Sequence, residues 1–363
     1  MSRFRHNGVP YRDQAEPKDG EYDMRQAVMT RPGTIEFRSA PEPVPGAGQA
    51  LLRIRRIGVC GSDIHVFHGK HPFTSYPVVQ GHEYSAIIES VGHGVTGMKP
   101  GMRVTARPQL VCGKCRPCLR GDYNICDHLK VQGFQAPGCA QDLFVVDVDR
   151  IVRLAEGMSD EQGALVEPAA VAAHSTARGP DLAGRNVVVL GAGTIGNLVA
   201  QAARCRGARK VLITDLSEFR LRKAQACGVD AVCHLQQQKL SEAARDAFGA
   251  DGFDVAFEAV GAEGALDDAV QHIQKGGDIV VLGVFGERPR VDMSIVGDRE
   301  LRLIGTLMYK HEDYEQAVSW IASDAIRTEP LVTRHFPFEQ YPEAYRFIEE
   351  QRDQTLKVLI DVA

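Results

Sequence analysis

The chain has 363 residues, which is long enough for two or three domains that each bury a core. Hydrophobic residues make up 44% and charged residues 25%, and the mean hydropathy is −0.19, so the composition excludes a small disulfide-stapled module and a membrane-embedded protein. The net charge of −5, from 42 basic and 47 acidic residues, leaves no broad cationic surface. We therefore expect no nucleic-acid partner.

The amino-terminal stretch, residues 1–23, is polar and mixed in charge. It lacks the apolar core of a signal peptide, and no stretch of the sequence reaches the roughly 18 to 20 apolar residues of a membrane-spanning helix. We therefore expect a cytoplasmic protein with no membrane partner. Residues 1–23 show no apolar periodicity, which predicts either a loosely ordered extension or an arm that packs on a neighbouring subunit.

From residue 24 the pattern is typical of a β-rich domain, because short Val/Ile/Leu runs are separated by glycine and proline clusters. After about residue 167 apolar strands alternate with segments long enough for helical crossovers. The runs that predict strands in the β-rich part are 50–57, 86–91 and 142–148, and those in the alternating part are 186–190, 210–215, 231–234, 253–258, 278–282 and 301–304. This alternation predicts an α/β fold with a doubly wound parallel sheet.

A glycine-rich turn follows the first strand of the alternating part. The sequence 187–196, VVVLGAGTIG, is a buried strand that leads into a GxGxxG motif, and a helical pattern continues through 197–206. Such a turn binds the pyrophosphate of a dinucleotide at the helix amino terminus, where one glycine makes the turn, one admits the phosphates and one lets helix and strand pack. The residues predicted to bind the cofactor here are Gly191, Gly193, Thr194, Ile195 and Gly196.

Asp215 ends the second strand of this unit, nineteen residues after Gly196, where a carboxylate accepts hydrogen bonds from the adenosine ribose. A carboxylate there repels a 2′-phosphate, and residues 216–218 (Leu-Ser-Glu) offer no cation to offset it, so we predict NAD rather than NADP. Arg220 and Arg222 lie close enough in sequence to keep NADP open, and Arg220 is counted among the predicted cofactor-binding residues.

Four of the nine cysteines are spaced CxxCxxCxxxxxxxC in a glycine- and proline-containing loop, which is metal spacing; they are Cys112, Cys115, Cys118 and Cys126. Four thiolates fill a tetrahedral zinc shell and leave no position for a substrate, so we predict a structural zinc site. An iron–sulfur cluster is the alternative for four cysteines.

A second, dispersed set of metal-ligating residue types comprises Cys60 in the run GVCGSDIH, His82 and Glu83 in GHEY, and Glu167 in LVEP. Each of them alone is ordinary. Cysteine, histidine and carboxylate together, with one exchangeable position, are the ligands of a catalytic zinc ion. Zinc in such a site acidifies an alcohol, which can then pass a hydride to a nicotinamide ring.

These motifs occur in the order found in the zinc-dependent medium-chain alcohol dehydrogenases, and from residue 24 to 363 the chain resembles the sorbitol (polyol) dehydrogenase branch. Some segments are similar to sugar-acid dehydrogenases and others to 2,3-butanediol dehydrogenases. The resemblance implies a GroES-like β-rich catalytic domain formed by 24–175 and 311–363, and a Rossmann NAD-binding domain at 176–310. It also implies two Zn²⁺ per subunit and a homo-oligomer, either a dimer or a tetramer.

The resemblance further implies individual roles for the dispersed residues. Cys60 and His82 would bind the catalytic zinc, and either Glu83 or Glu167 would complete its shell. Ser62 and His65 would carry the hydroxyl proton of the substrate to solvent, and Asp63 would support a ligand.

Three functions remain open at this point. The hydrogen-bond donors of loop 67–76 suit a polyhydroxylated substrate, so the first function is oxidation of a secondary hydroxyl on a polyol, sugar acid or cyclitol. His68, Lys70 and His71 could also bind a carboxylate, which would suit a sugar acid. Met308 stands where polyol dehydrogenases often carry arginine, which favours a small vicinal diol such as 2,3-butanediol. The third function is a non-catalytic NAD-binding protein, which the intact set of predicted zinc and relay residues disfavours.

Overall fold

The structure is a computed structural model that describes residues 24–363, so the extension predicted for 1–23 lies outside the described residues. Eighteen strands and eleven helices of the described residues form one β-rich part and one part with a parallel sheet. Within residues 24–363 no helix has both the length and the apolar character that crossing a membrane requires.

The β-rich part is built from the first strands and completed by the last two. Its elements before the parallel sheet are β1 (Met24–Arg31), β2 (Thr34–Ala40), β3 (Gln49–Val59), α1 (Gly61–Phe67), β4 (Val78–Val79), β5 (Glu83–Val91), β6 (Arg103–Ala106), β7 (Gln109–Leu110), α2 (Arg116–Leu119), β8 (Lys130–Val131), β9 (Leu143–Asp147), β10 (Ile151–Arg153), α3 (Asp160–Ala164) and α4 (Val166–Arg178). The three predicted strands of this region correspond to β3, β5 and β9.

A six-stranded parallel sheet follows, and all six of its strands lie where the sequence predicts them. Its elements are β11 (Asn186–Leu190), α5 (Thr194–Cys205), β12 (Lys210–Asp215), α6 (Glu218–Ala226), β13 (Ala231–His234), α7 (Leu240–Phe248), β14 (Val255–Glu258), α8 (Glu263–His272), β15 (Asp278–Val281), α9 (Met293–Asp298) and β16 (Arg302–Gly305). The spatial order β13-β12-β11-β14-β15-β16 reverses next to β11. In open parallel sheets ligands bind at such a switch point, outside the carboxyl ends of the strands.

The chain then returns to the β-rich part through α10 (His311–Ala322), β17 (Val332–Pro337), α11 (Tyr341–Gln351) and β18 (Lys357–Asp361). The main sheet of that part has the order β10-β6-β5-β3-β18-β17, and β9 also pairs with β3. The final strand is antiparallel to β3 and aligns Val358 with Val59. One core cluster joins α4, α5 and α10 to the parallel sheet, and a second fills the β-rich part.

Candidate metal and dinucleotide site

Neighbouring strands bring three of the predicted zinc ligands together. Cys60 follows the end of β3, while His82 and Glu83 lie at the start of β5, and these antiparallel strands align Gly58 with Glu83. One possible ligand atom from each of Cys60, His82 and Glu83 lies within 4.8 Å of the others. His82 and Glu83 are buried and Cys60 is partly exposed, so the cluster is reached from one side.

The donor set suits a catalytic zinc ion. A thiolate, an imidazole and a carboxylate supply three protein ligands and leave a fourth position for an exchangeable molecule. Asp63, which is buried, accepts a hydrogen bond from the Cys60 amide at 2.9 Å, and its Oδ1 lies 3.5 Å from Nδ1 of His82. A carboxylate beside a ligand imidazole fixes the ring orientation and leaves the other nitrogen for the metal.

Glu167 lies beside this cluster but outside the group of mutually close ligand atoms. It lies in the first turn of α4, where it is buried, and its carboxylate accepts a hydrogen bond from the hydroxyl of Tyr309. Burial raises the pKa of Glu167 to about 7, and the nearby Glu83 carboxylate acts in the same direction. Sequence reasoning assigned no partner to Glu167, because Tyr309 is 142 positions away in the chain.

Lys357 is a second residue that the sequence analysis missed. It begins β18, is only 3% exposed, and donates from Nζ to Glu83 at 2.5 Å and to the Val59 carbonyl at 3.2 Å. Burial opposes its charge, but Glu83 and Cys60 outweigh that effect and the pKa of Lys357 is raised. A lysine directly before the apolar run 358–360 is the signal in the sequence.

The two predicted relay residues lie on α1, which leads away from the cluster. The Ser62 hydroxyl donates to Sγ of Cys60 at 3.1 Å. His65, three residues later, is exposed to solvent. The helix therefore places one hydroxyl against the thiol and one imidazole at the surface, about one turn apart.

The four remaining predicted ligands form a separate cluster around α2, in which one Sγ of each lies within 4.8 Å of the others. The Sγ atoms of Cys115 and Cys126 are 3.8 Å apart. This matches the edge of a tetrahedron with zinc–sulfur bonds of about 2.3 Å. Backbone amides donate to the sulfur atoms at 3.3 Å, from Cys112 and His128 to Cys126 and from Cys115 to Cys112. Such donors favour thiolates, and the close spacing of the four sulfur atoms suits one tetrahedral metal ion better than a larger iron–sulfur group.

The glycine turn adopts the geometry that a dinucleotide needs. Gly191 follows β11 with φ 96°, a conformation that a side chain rarely adopts. A Cβ on Gly196 would lie 1.8 Å from the Gly191 carbonyl oxygen, whereas a Cβ on Gly193 would meet no atom within 4 Å. Gly196 is therefore required for packing of α5, and the space at Gly193 remains for the phosphates. Thr194 and Ile195 are the first two residues of α5 and are partly exposed.

Asp215 ends β12 and is held by three backbone amides. Its carboxylate accepts hydrogen bonds from Ala192 at 2.7 Å and from Leu216 and Ser217 at 2.8 Å. The carboxylate is therefore tied to the glycine turn and is partly exposed for the ribose. Arg220 instead donates to the Arg352 carbonyl oxygen at 3.3 Å, so it is engaged with the segment that precedes β18.

Aromatic residues form a wall next to His82. Phe134 lies with its ring centroid 4.9 Å from that of His82, and His71 stacks on Phe134 at 4.7 Å. Thr74 Oγ1 lies 2.7 Å from Nδ1 of His71, which leaves Nε2 as the other polar atom of the ring. Burial lowers the pKa of His71. His68, in contrast, pairs with Glu349, away from this wall.

Comparison with known proteins agrees with the family and the fold that the sequence predicts. Residues 194–323 match the zinc-binding dehydrogenase family, and residues 46–156 match the alcohol dehydrogenase GroES-like domain. A sorbitol dehydrogenase of Halalkalibacterium halodurans is 34% identical over 93% of this chain and 99% of its own length. A 2-dehydro-3-deoxy-L-galactonate 5-dehydrogenase of Pseudoalteromonas atlantica is 33% identical over 87% of this chain and 92% of its own.

Two solved structures extend the similarity to the fold and the cofactor site. The RspB alcohol dehydrogenase of Escherichia coli CFT073, complexed with NADH, superposes with a TM-score of 0.87 at 28% identity and covers 93% of this chain and 99% of its own. A zinc-binding dehydrogenase of Sinorhizobium meliloti bound to NADP gives a TM-score of 0.86 at 27% identity with the same coverage. The chain thus has a GroES-like domain and a Rossmann-type domain, and it belongs to the zinc-dependent medium-chain alcohol dehydrogenase family.

Proposed function

We propose that this enzyme oxidises a secondary hydroxyl of a polyol, sugar acid or cyclitol to the ketone and transfers the hydride to NAD⁺. The observation that carries the proposal is the convergence of Cys60, His82 and Glu83 beside the Glu167–Tyr309 pair. In the balanced reaction the carbinol carbon loses a hydride to the nicotinamide ring and the hydroxyl loses a proton to solvent. The products are a ketone, NADH and one proton.

The residues around the cluster each have a part in this reaction. A zinc ion held by Cys60 and His82, with Glu83 as the third ligand, would supply Lewis acidity to the hydroxyl. Ser62, next to the thiol, accepts the proton, and the exposed His65 releases it to solvent. Glu167 orients the substrate hydroxyl or a water molecule rather than binding the metal directly.

We propose NAD⁺ as the physiological cofactor. Of the two cofactor-bound structures that resemble this chain, one holds NADH and the other NADP, so the choice depends on the residues of this chain. Three amide hydrogen bonds hold the carboxylate of Asp215 where a 2′-phosphate would lie. A carboxylate and a phosphate at the same place repel each other. Arg220, which could offset this repulsion, donates instead to the Arg352 carbonyl oxygen. Asp215→Ser should therefore raise the affinity for NADP⁺ relative to NAD⁺, as measured by fluorescence titration with the reduced cofactors.

The wall formed by His71 and Phe134 favours a polyhydroxylated substrate. His71 has a lowered pKa and so offers a neutral hydrogen-bonding ring at pH 7. A neutral imidazole matches a hydroxyl better than a carboxylate, and polyols therefore come before sugar acids in our proposal. The named substrates of the two relatives, sorbitol and a deoxygalactonate, belong to these two classes.

A small vicinal diol is the second candidate, because of one feature. Met308 precedes Tyr309 and is partly buried, so the residue next to the partner of Glu167 is a thioether and not a cation. An apolar wall fits the methyl groups of 2,3-butanediol better than a polyol chain.

We propose two Zn²⁺ per subunit, one at the Cys60 cluster and one at the four-cysteine cluster. We propose that residues 24–175 and 311–363 form the β-rich catalytic domain and that residues 176–310 form the NAD-binding domain. We also propose a homo-oligomer, which sedimentation would detect.

The test is the appearance of NADH at 340 nm with hexitols, pentitols, hexonates, inositols and short diols, each with NAD⁺ and NADP⁺. We expect turnover of polyhydroxylated compounds with NAD⁺. His71→Phe keeps the stack on Phe134 but removes the polar ring, so it should raise KM for these compounds with little change in KM for NAD⁺. Val44→Ala, at an exposed side chain outside this loop, is the control. Turnover of butanediol alone would establish the second candidate, and no turnover of any alcohol would refute both.

A further inference from the structure

We propose that the four-cysteine lobe, defined as residues 112–126, positions Tyr309 and through it Glu167 in the catalytic centre. Three consecutive residues of the lobe, after α2 and before Cys126, contact the segment 307–311 that leads into α10. These contacts are Asn124 Nδ2 to the Leu307 carbonyl at 2.9 Å, Lys310 Nζ to Asp122 at 3.1 Å, and the His311 amide to the Tyr123 hydroxyl at 2.5 Å.

The segment 307–311 depends on such support. Met308 has φ 51°, a left-handed conformation that is strained for a non-glycine residue. Leu307 is exposed, so its side chain contributes little packing. Gln109, just before the lobe, donates to the Tyr309 carbonyl oxygen at 2.7 Å. Contacts from 109–124 thus hold the backbone on both sides of the strained residue.

The same lobe contacts the helix that carries Glu167. Asn124 Nδ2 also lies 3.3 Å from Nε2 of His174, a buried residue two turns after Glu167 on α4. Nδ1 of His174 is 2.7 Å from Asp313, which in turn accepts the Lys310 amide at 2.7 Å. Asn124 is therefore the point where the lobe contacts both α4 and the 307–311 segment.

The geometry gives the lobe a part in catalysis as well as in folding. Tyr309 reaches Glu167 through one hydrogen bond, and a shift of the 307–311 backbone by about 1 Å would break it. Glu167 would then lose the donor that fixes its carboxylate beside the cluster. Asp122, Tyr123 and Asn124 are positioning residues in this sense, because they act on the centre through Tyr309.

A double-mutant cycle tests the proposal with the alcohol that the wild-type enzyme oxidises best. Asn124→Ala should lower kcat between about tenfold and about a hundredfold, with KM for NAD⁺ unchanged. In a Tyr309→Phe background the same change should lower kcat by less than about twofold, because the hydrogen bond it protects is already lost. Tyr123→Phe removes only the hydroxyl that accepts the His311 amide and tests the same link if Asn124→Ala folds poorly.

Hydrogen exchange of the peptide 306–313 gives a readout that needs no substrate. Asn124→Ala and Tyr123→Phe should speed exchange there, whereas Leu119→Ala, at an exposed residue of the same lobe, should not. Independent, multiplicative losses of kcat in the cycle, or unchanged exchange, would overturn the proposal. Should no alcohol be oxidised, the proposed function fails, and the exchange result still decides whether the lobe positions the segment.

Discussion

The pair of Lys357 and Glu83 is the contact at residue scale that does most to define the metal cluster. Both side chains are almost fully buried, and the Glu83 carboxylate contacts the lysine and also lies within 4.8 Å of the other possible ligands. A buried ion pair adds little stability over an apolar pair of the same shape, but removal of one partner leaves a buried charge. Lys357 therefore reduces the negative charge that the Glu83 carboxylate can contribute to a bound metal ion.

We predict that Lys357→Met lowers the free energy of unfolding by about 3–5 kcal/mol, because Glu83 loses its counter-charge in a buried site. Urea denaturation of the purified protein measures this change. Lys357→Arg keeps the charge and should cost much less. Glu83→Gln in the Lys357→Met background should recover part of the loss, and a double variant less stable than Lys357→Met would contradict the pairing.

At the scale of elements, two glycines of the turn between β11 and α5 have different roles. Gly196 is needed for folding, and Gly193 is needed for cofactor binding. Gly196 lies against the Gly191 carbonyl oxygen, and any side chain there must displace the helix from the strand. Gly193 has open space and an extended conformation, so the apoprotein does not need a glycine at that position.

We predict opposite outcomes for two alanine substitutions in this turn. Gly196→Ala should lower Tm and weaken cofactor binding together, because α5 can no longer approach β11. Gly193→Ala should leave Tm of the apoprotein nearly unchanged and weaken NADH binding at least about tenfold, because its methyl group occupies the place of the phosphates. Differential scanning calorimetry and NADH titration separate the two. An equal loss of Tm in both variants would be inconsistent with this division.

The elements also show what sequence could predict. Strand and helix positions in the parallel sheet follow from local periodicity and from glycine chemistry, and all six strands were predicted within a few residues. The zinc ligand types were predictable because each lies in a short motif. Tyr309 and Lys357 were not given their roles, because their partners are 142 and 274 positions away and only the packed fold brings them together.

At the scale of the whole molecule, the β-rich sheet is formed from both ends of the described chain. β3 pairs with β5 on one side and with β9 and β18 on the other, and β17 lies beyond β18. The parallel sheet, in contrast, uses only residues between Asn186 and Gly305. The two sheets should therefore differ in how they respond to loss of the final strand.

We predict that deletion of residues 357–363 disrupts the β-rich sheet and spares the parallel sheet. The edge of β3 would be unpaired next to Cys60, and Glu83 would lose Lys357. The truncated protein should lose metal from the Cys60 cluster and all turnover but still bind NADH, as judged by metal analysis and fluorescence titration. Full metal content at that cluster in the truncated protein would show that β18 is dispensable.

The position of β18 also has a consequence for biosynthesis. A ribosome releases the chain from its amino terminus, so β3, β5 and the metal ligands emerge long before the strand that covers them. The nucleotide-binding sheet can form while translation continues, whereas the ligand cluster must wait until β18 has emerged. Until then the edge of β3 beside Cys60 is unpaired and the Glu83 carboxylate lacks Lys357, so the ligand cluster is complete only after the final strand of the sheet has been made.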